Sequence, residues 1–312
     1  APTTLGFTKS HKTDVTTVNT TASGQQQISI QYKIEGQDIR SSGWNHLSDS
    51  SFLTLSFYFK TTKTGNLKLP IAFRTRHGTN YYYVQNVTIT DPTNWNRYTV
   101  TIPGNSNLQI DDANTAGMDI FFSYYTGPDK DTSSEGTWGS TNAYSTSDST
   151  NFFDSTSNDM FITGVQLEVG SVATDFEHRS FAQELALCQR YCVVYQGNAA
   201  PLGSGGAVTM SGADGFLAYG HTVNGANPML TQIFPVLMRQ TPSQSRSSTG
   251  HFQFWRGWAA TLAATNFAVE SAGSSPMHYR FNITTSGGMG DGDPGIFNFA
   301  NTSGYLIYDA EL

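Results

Sequence analysis

Aromatic side chains beside polar residues carry the clearest chemical signal in this sequence, that of carbohydrate binding. Aromatic rings lie against the C–H faces of sugars, while neighbouring amide, carboxylate and guanidinium groups bond to sugar hydroxyls. The candidates that stand in such surroundings are Trp44, Tyr81, Tyr83, Tyr124 and Trp138. The alternative for any one of them is an aromatic residue of the core or its rim.

The sequence predicts no catalytic site. Ser-His-Asp catalysis leaves a nucleophile elbow of the form Gly-x-Ser-x-Gly, and the chain contains none. Glycoside hydrolysis needs two carboxylates across a cleft, and a sequence does not show their separation. A protein that binds glycan without cleaving it is therefore the first hypothesis, and a glycan depolymerase of the tailspike type is the second.

Two groups of acidic residues loosely resemble calcium loops: Asp129 with Asp131 and Glu135, and Asp291 with Asp293. Neither group has the full ligand spacing of an EF-hand. Acids in turns more often bond to nearby backbone groups and to solvent. We therefore expect no cofactor and no metal, with a structural calcium ion as the alternative.

The composition favours an all-β protein. Only 13% of the 312 residues are charged, while aromatics also reach 13%, and Thr, Tyr, Phe and Gly suit strands and tight turns. The net charge of −7, with 17 scattered Lys and Arg residues, argues against nucleic acid as a partner. No apolar run has the length of a bilayer, so we expect no membrane insertion.

Short strands with turn signals between them run through both halves of the chain. Leu53, Leu55, Phe57 and Phe59 alternate with polar residues, as in a strand with one buried face. The absence of helices between such strands predicts antiparallel β-sandwiches rather than βαβ units. A long segment, residues 124–159, carries isolated aromatics and is predicted to be an ordered excursion over the first sandwich.

One helix interrupts this pattern. Ser180 and Gln183 have the spacing of a capping box. The helix is apolar on two faces, so it needs a neighbour to cover it, either a domain or copies of itself around a symmetry axis. The residues predicted for an oligomer interface are Phe181, Leu185, Leu187 and Tyr191. The two cysteines, Cys188 and Cys192, are predicted to be buried thiols that act as small hydrophobes.

The segment from 161 to 191, FITGVQLEVGSVATDFEHRSFAQELALCQRY, resembles one that recurs in tail-fibre and tail-associated proteins of phages. Residues 95–104, residues 234–242 and the ending at 309–312 are similar to further parts of that family. Asp175 stands where the family usually has Pro. The matching residues belong to the scaffold, so the resemblance supplies no sugar-contacting residue.

The resemblance implies a carbohydrate-binding-module-like jelly roll that leads into a C-terminal β domain. The predicted fold is two antiparallel, jelly-roll-like β-sandwich domains, at 1–178 and 196–312, joined by one short α-helix within 179–195. The implied protein is a homotrimeric tail fibre or receptor-binding protein of the virion, with other tail proteins and a host-surface glycan as partners. A structural fibre or decoration protein without a ligand is the third hypothesis.

Overall fold

The computed structural model describes residues 1–20, 23–197, 208–209, 216–224, 227–256, 260–269, 273–285, 290–300 and 303–311. The chain divides into two compact units, Ala1–His178 and Arg179–Leu312. Strands are the predominant secondary structure of both units, and nearly all of their pairings are antiparallel. The predicted all-β fold class is confirmed.

The first unit is a sandwich of two four-stranded antiparallel sheets. Their strand orders, β1-β8-β3-β6 and β2-β7-β4-β5, are those of a jelly roll. One short helix, α1, follows β2. The elements are β1 His11–Asp14, β2 Gln27–Glu35, α1 Gly36–Ser41, β3 Phe52–Thr61, β4 Leu67–Thr75, β5 Tyr82–Ile89, β6 Asn96–Pro103, β7 Ala116–Thr126 and β8 Asp159–Val169.

The core of this unit lies between the two sheets. Leu53, Leu55, Phe57 and Phe59 of β3 all point into it and are at most 3% exposed, which confirms the period-two pattern. The ring of Phe57 meets that of Phe122 on the opposite sheet edge-on, with centroids 5.0 Å apart. Alternation on β3 therefore fixes which side of the strand faces the second sheet.

A bulge at Gly164 shapes strand β8. The register of β8 against β3 shifts between Ser56 and Tyr58, so that Gly164 and Val165 together lie opposite a single residue. Gly164 has a φ of +58°, in the left-handed region that L side chains rarely adopt. A Cβ at this position would lie 2.6 Å from Cζ of Phe7. Both the backbone and the packing therefore require glycine here.

Side chains of β8 also hold the segment that follows the strand. Gln166 Nε2 donates to the carbonyl of Asp175 at 3.2 Å, and Gln166 Oε1 accepts from the amide of Glu177 at 2.8 Å. The amide of Thr174 donates to the carboxylate of Glu168 at 3.2 Å. The chain thus folds back along its own strand through side-chain to backbone bonds. This clasp lies within the segment that resembles the phage family.

The long loop, residues 127–158, lies over the outer face of the β2-β7-β4-β5 sheet, as predicted. The backbones of Tyr82 and Gly139 exchange two hydrogen bonds, of 2.7 and 2.9 Å. The ring of Tyr144 packs edge-on against those of Phe121 (4.6 Å) and Tyr82 (5.6 Å). The side chains that form this outer cluster are Ala72, Tyr82, Val84, Phe121, Ala143 and Tyr144. Strand β7 is therefore buried on both faces.

An ion pair within the sheet also holds the loop, because its arginine bonds to a tyrosine of the loop. Asp119 is fully buried, and Arg74 Nε donates to its Oδ2 at 2.8 Å. Arg74 Nη1 donates to the hydroxyl of Tyr144 at 3.0 Å. The guanidinium also lies over the ring of Phe121, 5.1 Å from its centroid. One arginine therefore pairs a buried carboxylate and orients a ring of the covering loop.

The second unit combines a closed barrel, β11-β12-β16-β15-β14-β17, with a four-stranded sheet, β10-β9-β18-β13. The sequence predicted a sandwich here, and closure leaves those six strands without a free edge. Phe252, Phe281 and Phe297 lie inside, fully buried. The elements are α2 Phe181–Gln189, β9 Cys192–Gln196, β10 Val208–Thr209, β11 Phe216–Asn224, β12 Asn227–Ile233, β13 Ser243–Arg246, β14 Phe252–Arg256, β15 Ala260–Val269, β16 His278–Thr285, β17 Pro294–Phe299 and β18 Tyr305–Asp309.

Helix α2 begins with the predicted capping box. The amide of Gln183 donates to Ser180 Oγ at 3.3 Å, and the amide of Ser180 donates to Gln183 Oε1 at 3.0 Å. Phe181 is 63% exposed and Leu187 is 47% exposed, while Leu185 is half-buried. None of the helices in the described ranges is long and apolar enough to cross a membrane.

The two cysteines differ from their predicted state. Both are free thiols, and Cys188 is exposed while Cys192 is half-buried. The prediction of two buried thiols was wrong for Cys188, because the face of α2 that carries it is uncovered. Partial burial nevertheless raises the pKa of both thiols, which keeps them protonated at neutral pH.

Arg239 joins two parts of the second unit that are distant in sequence. Its Nε donates to the carbonyl of Ala310 at 2.6 Å, and its Nη2 donates to that of Glu311 at 2.7 Å. Arg239 is itself buried. The segment at 234–242 therefore anchors the end of the chain. Leu312 lies outside the described residues.

We expect Gly164→Ala to lower the free energy of unfolding of the first unit by about 2–4 kcal/mol, because left-handed strain adds to overlap with Phe7. Gly170→Ala is the matched control, since Gly170 also has a positive φ (+126°) but a Cβ there would meet nothing within 4 Å. It should cost only about 1 kcal/mol. Thermal unfolding, with hydrogen-exchange mass spectrometry to assign the transition, measures both. Equal losses would refute the role of the Phe7 contact.

Candidate functional site

Three of the five aromatics predicted to bind sugar are buried in the first unit's core. Trp44 is 4% exposed, and its Nε1 donates to the carbonyl of Ser51 at 3.2 Å. Tyr83 is 5% exposed and Tyr124 is 1% exposed. The expectation of exposed rings is corrected for these residues, because their strands and loop turn the rings toward the opposite sheet.

The other two predicted aromatics, Tyr81 and Trp138, are half-buried at the rim of the same core. Trp138 Nε1 donates to the carbonyl of Pro103 at 2.7 Å, and its ring packs against Tyr83 with centroids 5.4 Å apart. The structure thus brings Tyr83 and Trp138 together as a packing pair. None of the five lines the pocket described next.

A pocket of about 180 Å³ lies instead where the long loop meets the ends of β4 and β7. Its lining consists mainly of residues with hydroxyl groups, so we call it the hydroxyl pocket. Strand β7 contributes the floor and the long loop contributes the wall. The lining residues are Thr20, Pro70, Ser123, Tyr125, Thr126, Asp131, Thr146, Ser147, Ser149, Thr150 and Asn151.

The wall of the hydroxyl pocket is held by its own polar side chains. Asp131 Oδ1 accepts from Ser145 Oγ at 2.6 Å, which joins two parts of the covering loop. Thr146 Oγ1 accepts from Asn86 Nδ2 at 2.6 Å, and Ser149 Oγ donates to Asn86 Oδ1 at 3.0 Å. One amide of β5 therefore positions two residues of the wall. These groups are already engaged before any ligand arrives.

The floor differs from the wall in one respect. Ser123 is fully buried and Tyr125 is 4% exposed, yet neither Ser123 Oγ nor the hydroxyl of Tyr125 has a hydrogen-bond partner within the described protein. A buried polar group without a partner costs about 1–3 kcal/mol. Burial raises the pKa of Tyr125, so its hydroxyl keeps its proton at neutral pH and can donate as well as accept. Both residues line the pocket, so a polar ligand that reached these hydroxyls would supply the missing hydrogen bonds.

Charge is scarce around the hydroxyl pocket. Among the described residues that line it, Asp131 alone is charged at neutral pH. At the rim, Lys68 donates to Asp148, and this bond raises the pKa of Lys68 and lowers the pKa of Asp148. The two rim charges therefore compensate each other. The arrangement suits a ligand that offers hydroxyls rather than an ionic group.

The acidic groups considered for calcium serve the loops around them. Glu135 Oε1 accepts from the amide of Asn86 at 2.7 Å and from Gln85 Nε2 at 2.8 Å. Asp293 Oδ2 accepts from the amide of Gly290 at 2.7 Å. Within the described ranges, no three His, Cys, Asp or Glu side chains come together in a way that could hold a metal ion.

Sequence reasoning missed Ser123, and it did not separate Tyr125 from its neighbour Tyr124, for a physical reason. A tyrosine pair at the start of a long loop was visible, but the face on which each ring lies was not. Alternation assigns Tyr124 to one face of β7 and Tyr125 to the other, but β7 is buried on both faces. The sequence therefore did not show which face would border a pocket. The abundance of Ser and Thr in residues 145–150 was the one available signal.

No family model and no curated protein matches this chain. Two solved structures align with 97% of it: the crystal structure of Cucumber Necrosis Virus and a structure of Red Clover Necrotic Mosaic Virus. The first is 10% identical, covered over 95% of its chain, with a TM-score of 0.18. The second is 11% identical, covered over 97% of its chain, with a TM-score of 0.17. Similarity at this level carries no conclusion about fold or function.

Two Tyr→Phe substitutions test the state of the floor. Tyr125→Phe should leave the free energy of unfolding within about 0.5 kcal/mol of the original or raise it, because it removes an unpaired buried hydroxyl. Tyr144→Phe is the matched control, and it should lower that free energy by about 1.5–3 kcal/mol because its hydroxyl bonds to a charged arginine. Denaturant unfolding measures both. A loss for Tyr125→Phe as large as that for Tyr144→Phe would show that the Tyr125 hydroxyl is already paired.

Proposed function

We propose that this chain is a virion structural protein of a tailed phage, a tail fibre or receptor-binding protein, that binds host-surface carbohydrate in the hydroxyl pocket without cleaving it. The observation that carries the binding role is the pair of buried, unpaired hydroxyls of Ser123 and Tyr125 in a pocket lined by further hydroxyls. The virion role is supported by the resemblance of residues 161–191 to phage tail proteins.

A carbohydrate suits this pocket better than other small ligands do. A sugar ring presents several hydroxyls that both donate and accept, and the floor hydroxyls of Ser123 and Tyr125 do the same. An apolar ligand would leave both groups buried and unpaired, at the energetic cost that they already carry. A C–H face of the sugar would also pack against the ring of Tyr125.

The small number of carboxylates in the lining supports binding without cleavage. Glycosidases place two of them on opposite sides of the scissile bond, about 5–10 Å apart. Asp131 is the one carboxylate among the described lining residues. A depolymerase remains the second candidate, and release of reducing ends from host polysaccharide by the purified chain would establish it. A ligand-free fibre or decoration protein is the third candidate, and the absence of binding to any glycan would favour it.

We also propose that helix α2 packs against copies of itself in a homotrimer. The exposure of Phe181 and Leu187, and the partly buried Leu185 and Tyr191, support this role for the predicted interface. Burying one such side chain stabilises an assembly by about 1.5–3 kcal/mol. A trimer would also multiply weak sugar contacts, because several pockets bind one cell surface together.

The double variant Ser123→Ala/Tyr125→Phe should lose at least about tenfold in affinity for host-surface glycan, because both prepared hydrogen bonds disappear. Binding to a glycan array and to host cells measures this. Trp138→Phe is the control, since it changes the best surface candidate of the sequence prediction and leaves the pocket intact. Loss of binding in Trp138→Phe, with the double variant unaffected, would move the site to the Tyr83–Trp138 pair. No enrichment of any glycan over a control protein would contradict the proposal.

Phe181→Ser/Leu187→Ser should convert the assembly to smaller species at micromolar concentration, because it removes the exposed apolar surface of α2. Light scattering coupled to size exclusion measures the mass. Glu184→Gln, on the same helix but polar, is the control and should leave the mass unchanged. An original chain that is strictly monomeric would contradict the trimer.

A further inference from the structure

The charge around the hydroxyl pocket restricts the choice of ligand more than the size of the pocket does. Asp131 is the one charged side chain among the described residues that line it. Its Oδ1 accepts one hydrogen bond, from Ser145, and a carboxylate has acceptor capacity for about four. Free acceptor capacity therefore remains on Asp131 beside the two unpaired floor hydroxyls.

The nearby cations are engaged elsewhere. Lys68 at the rim donates to Asp148. Lys130 is 9% exposed, and its ammonium lies over the ring of Tyr144, 5.7 Å from the centroid. Neither lysine lines the pocket. A carboxylate brought into this space would therefore meet the charge of Asp131 without a cation to offset it.

The volume sets the number of sugar units. A space of 180 Å³ holds about six waters at their volume in the liquid. One pyranose ring has a comparable bulk, so the space matches a single sugar unit.

We propose that the hydroxyl pocket selects one uncharged sugar unit and rejects acidic sugars, with Asp131 as the residue that decides between them. This inference rests on the proposed carbohydrate function. Asp131 accepts hydrogen bonds from two neighbouring hydroxyls of the sugar, while Ser123 and Tyr125 bond to the ring's other oxygens. A uronic or sialic acid places its carboxylate against Asp131, and its binding is at least about tenfold weaker.

The test uses the full chain and two sets of methyl glycosides. The neutral set contains glucose, galactose, mannose, rhamnose, fucose and N-acetylglucosamine, and the acidic set contains glucuronic, galacturonic and sialic acid. Saturation-transfer NMR identifies binders, and titration gives their affinities. We expect binders in the neutral set, each at least about tenfold tighter than its acidic counterpart where one exists.

Asp131→Asn separates charge from shape, because the amide oxygen still accepts from Ser145. In this variant, the ratio of the affinity for neutral sugars to the affinity for acidic sugars should fall at least threefold. Asp129→Asn is the matched control, since it removes the same charge two residues away and outside the pocket, and it should leave the ratio unchanged.

Each remaining outcome counts against a definite statement. Acidic sugars that bind as tightly as neutral ones, or an unchanged ratio in Asp131→Asn, overturn the charge selection and leave the carbohydrate function standing. Binding of no glycoside by a chain shown to be folded overturns both this inference and the pocket's proposed function. Binding that survives in Ser123→Ala/Tyr125→Phe places the sugar elsewhere and overturns the inference.

Discussion

The first unit depends on one constraint: strands β7, β4 and β5 carry apolar side chains on both faces of their sheet, and both sets must be covered. The inner face meets the other sheet across the main core. The outer face carries Ala72, Tyr82, Val84 and Phe121, and the long loop covers them. Covering the outer face with a loop is energetically costly unless the loop's backbone groups find hydrogen-bond partners wherever water is excluded. Arg74, paired with buried Asp119 and bonded to Tyr144, is the strongest of the contacts that hold the loop in place.

The hydroxyl pocket follows from this cover. The loop closes tightly over the middle of the sheet, where aromatic rings fill the space. Toward the end of β7 the outward side chains change from Phe121 to Ser123 and Tyr125, so there is polar surface under the loop instead of apolar surface. The wall there is built from short Ser and Thr side chains that bond to one another and to Asn86. Short side chains leave room, and that room is the pocket.

The sequence predicted the parts of this fold that depend on local patterns. Alternation at Leu53, Leu55, Phe57 and Phe59 located a buried strand, and Ser180 with Gln183 located the start of α2. Closure of the second unit's barrel depends on pairings between distant strands, such as β11 with β17, which leave no local signal. The prediction of the sugar-binding residues failed for a related reason. Aromatic content identified Trp44, Tyr83 and Tyr124, but the burial of each ring depends on which segments pack against it. That packing is set by tertiary structure. Residues 161–191 contain the bulge at Gly164 and the clasp from Gln166 and Glu168, and none of them lines the pocket.

The two layers on the β2-β7-β4-β5 sheet also differ in how firmly they are fixed. The main core includes large aromatic rings from both sheets, whereas the outer cluster has six side chains, two of them alanines. Local openings in proteins begin in the least stable cooperative units, so we expect the part of the loop around Tyr144 to open before the sandwich does. Amides such as those of Gly136, Gly139 and Tyr144, which bond to the sheet or within the loop, would then exchange with solvent through this sub-global opening rather than through global unfolding. A ligand in the pocket would contact floor and wall together, so it would suppress this opening and couple the two layers.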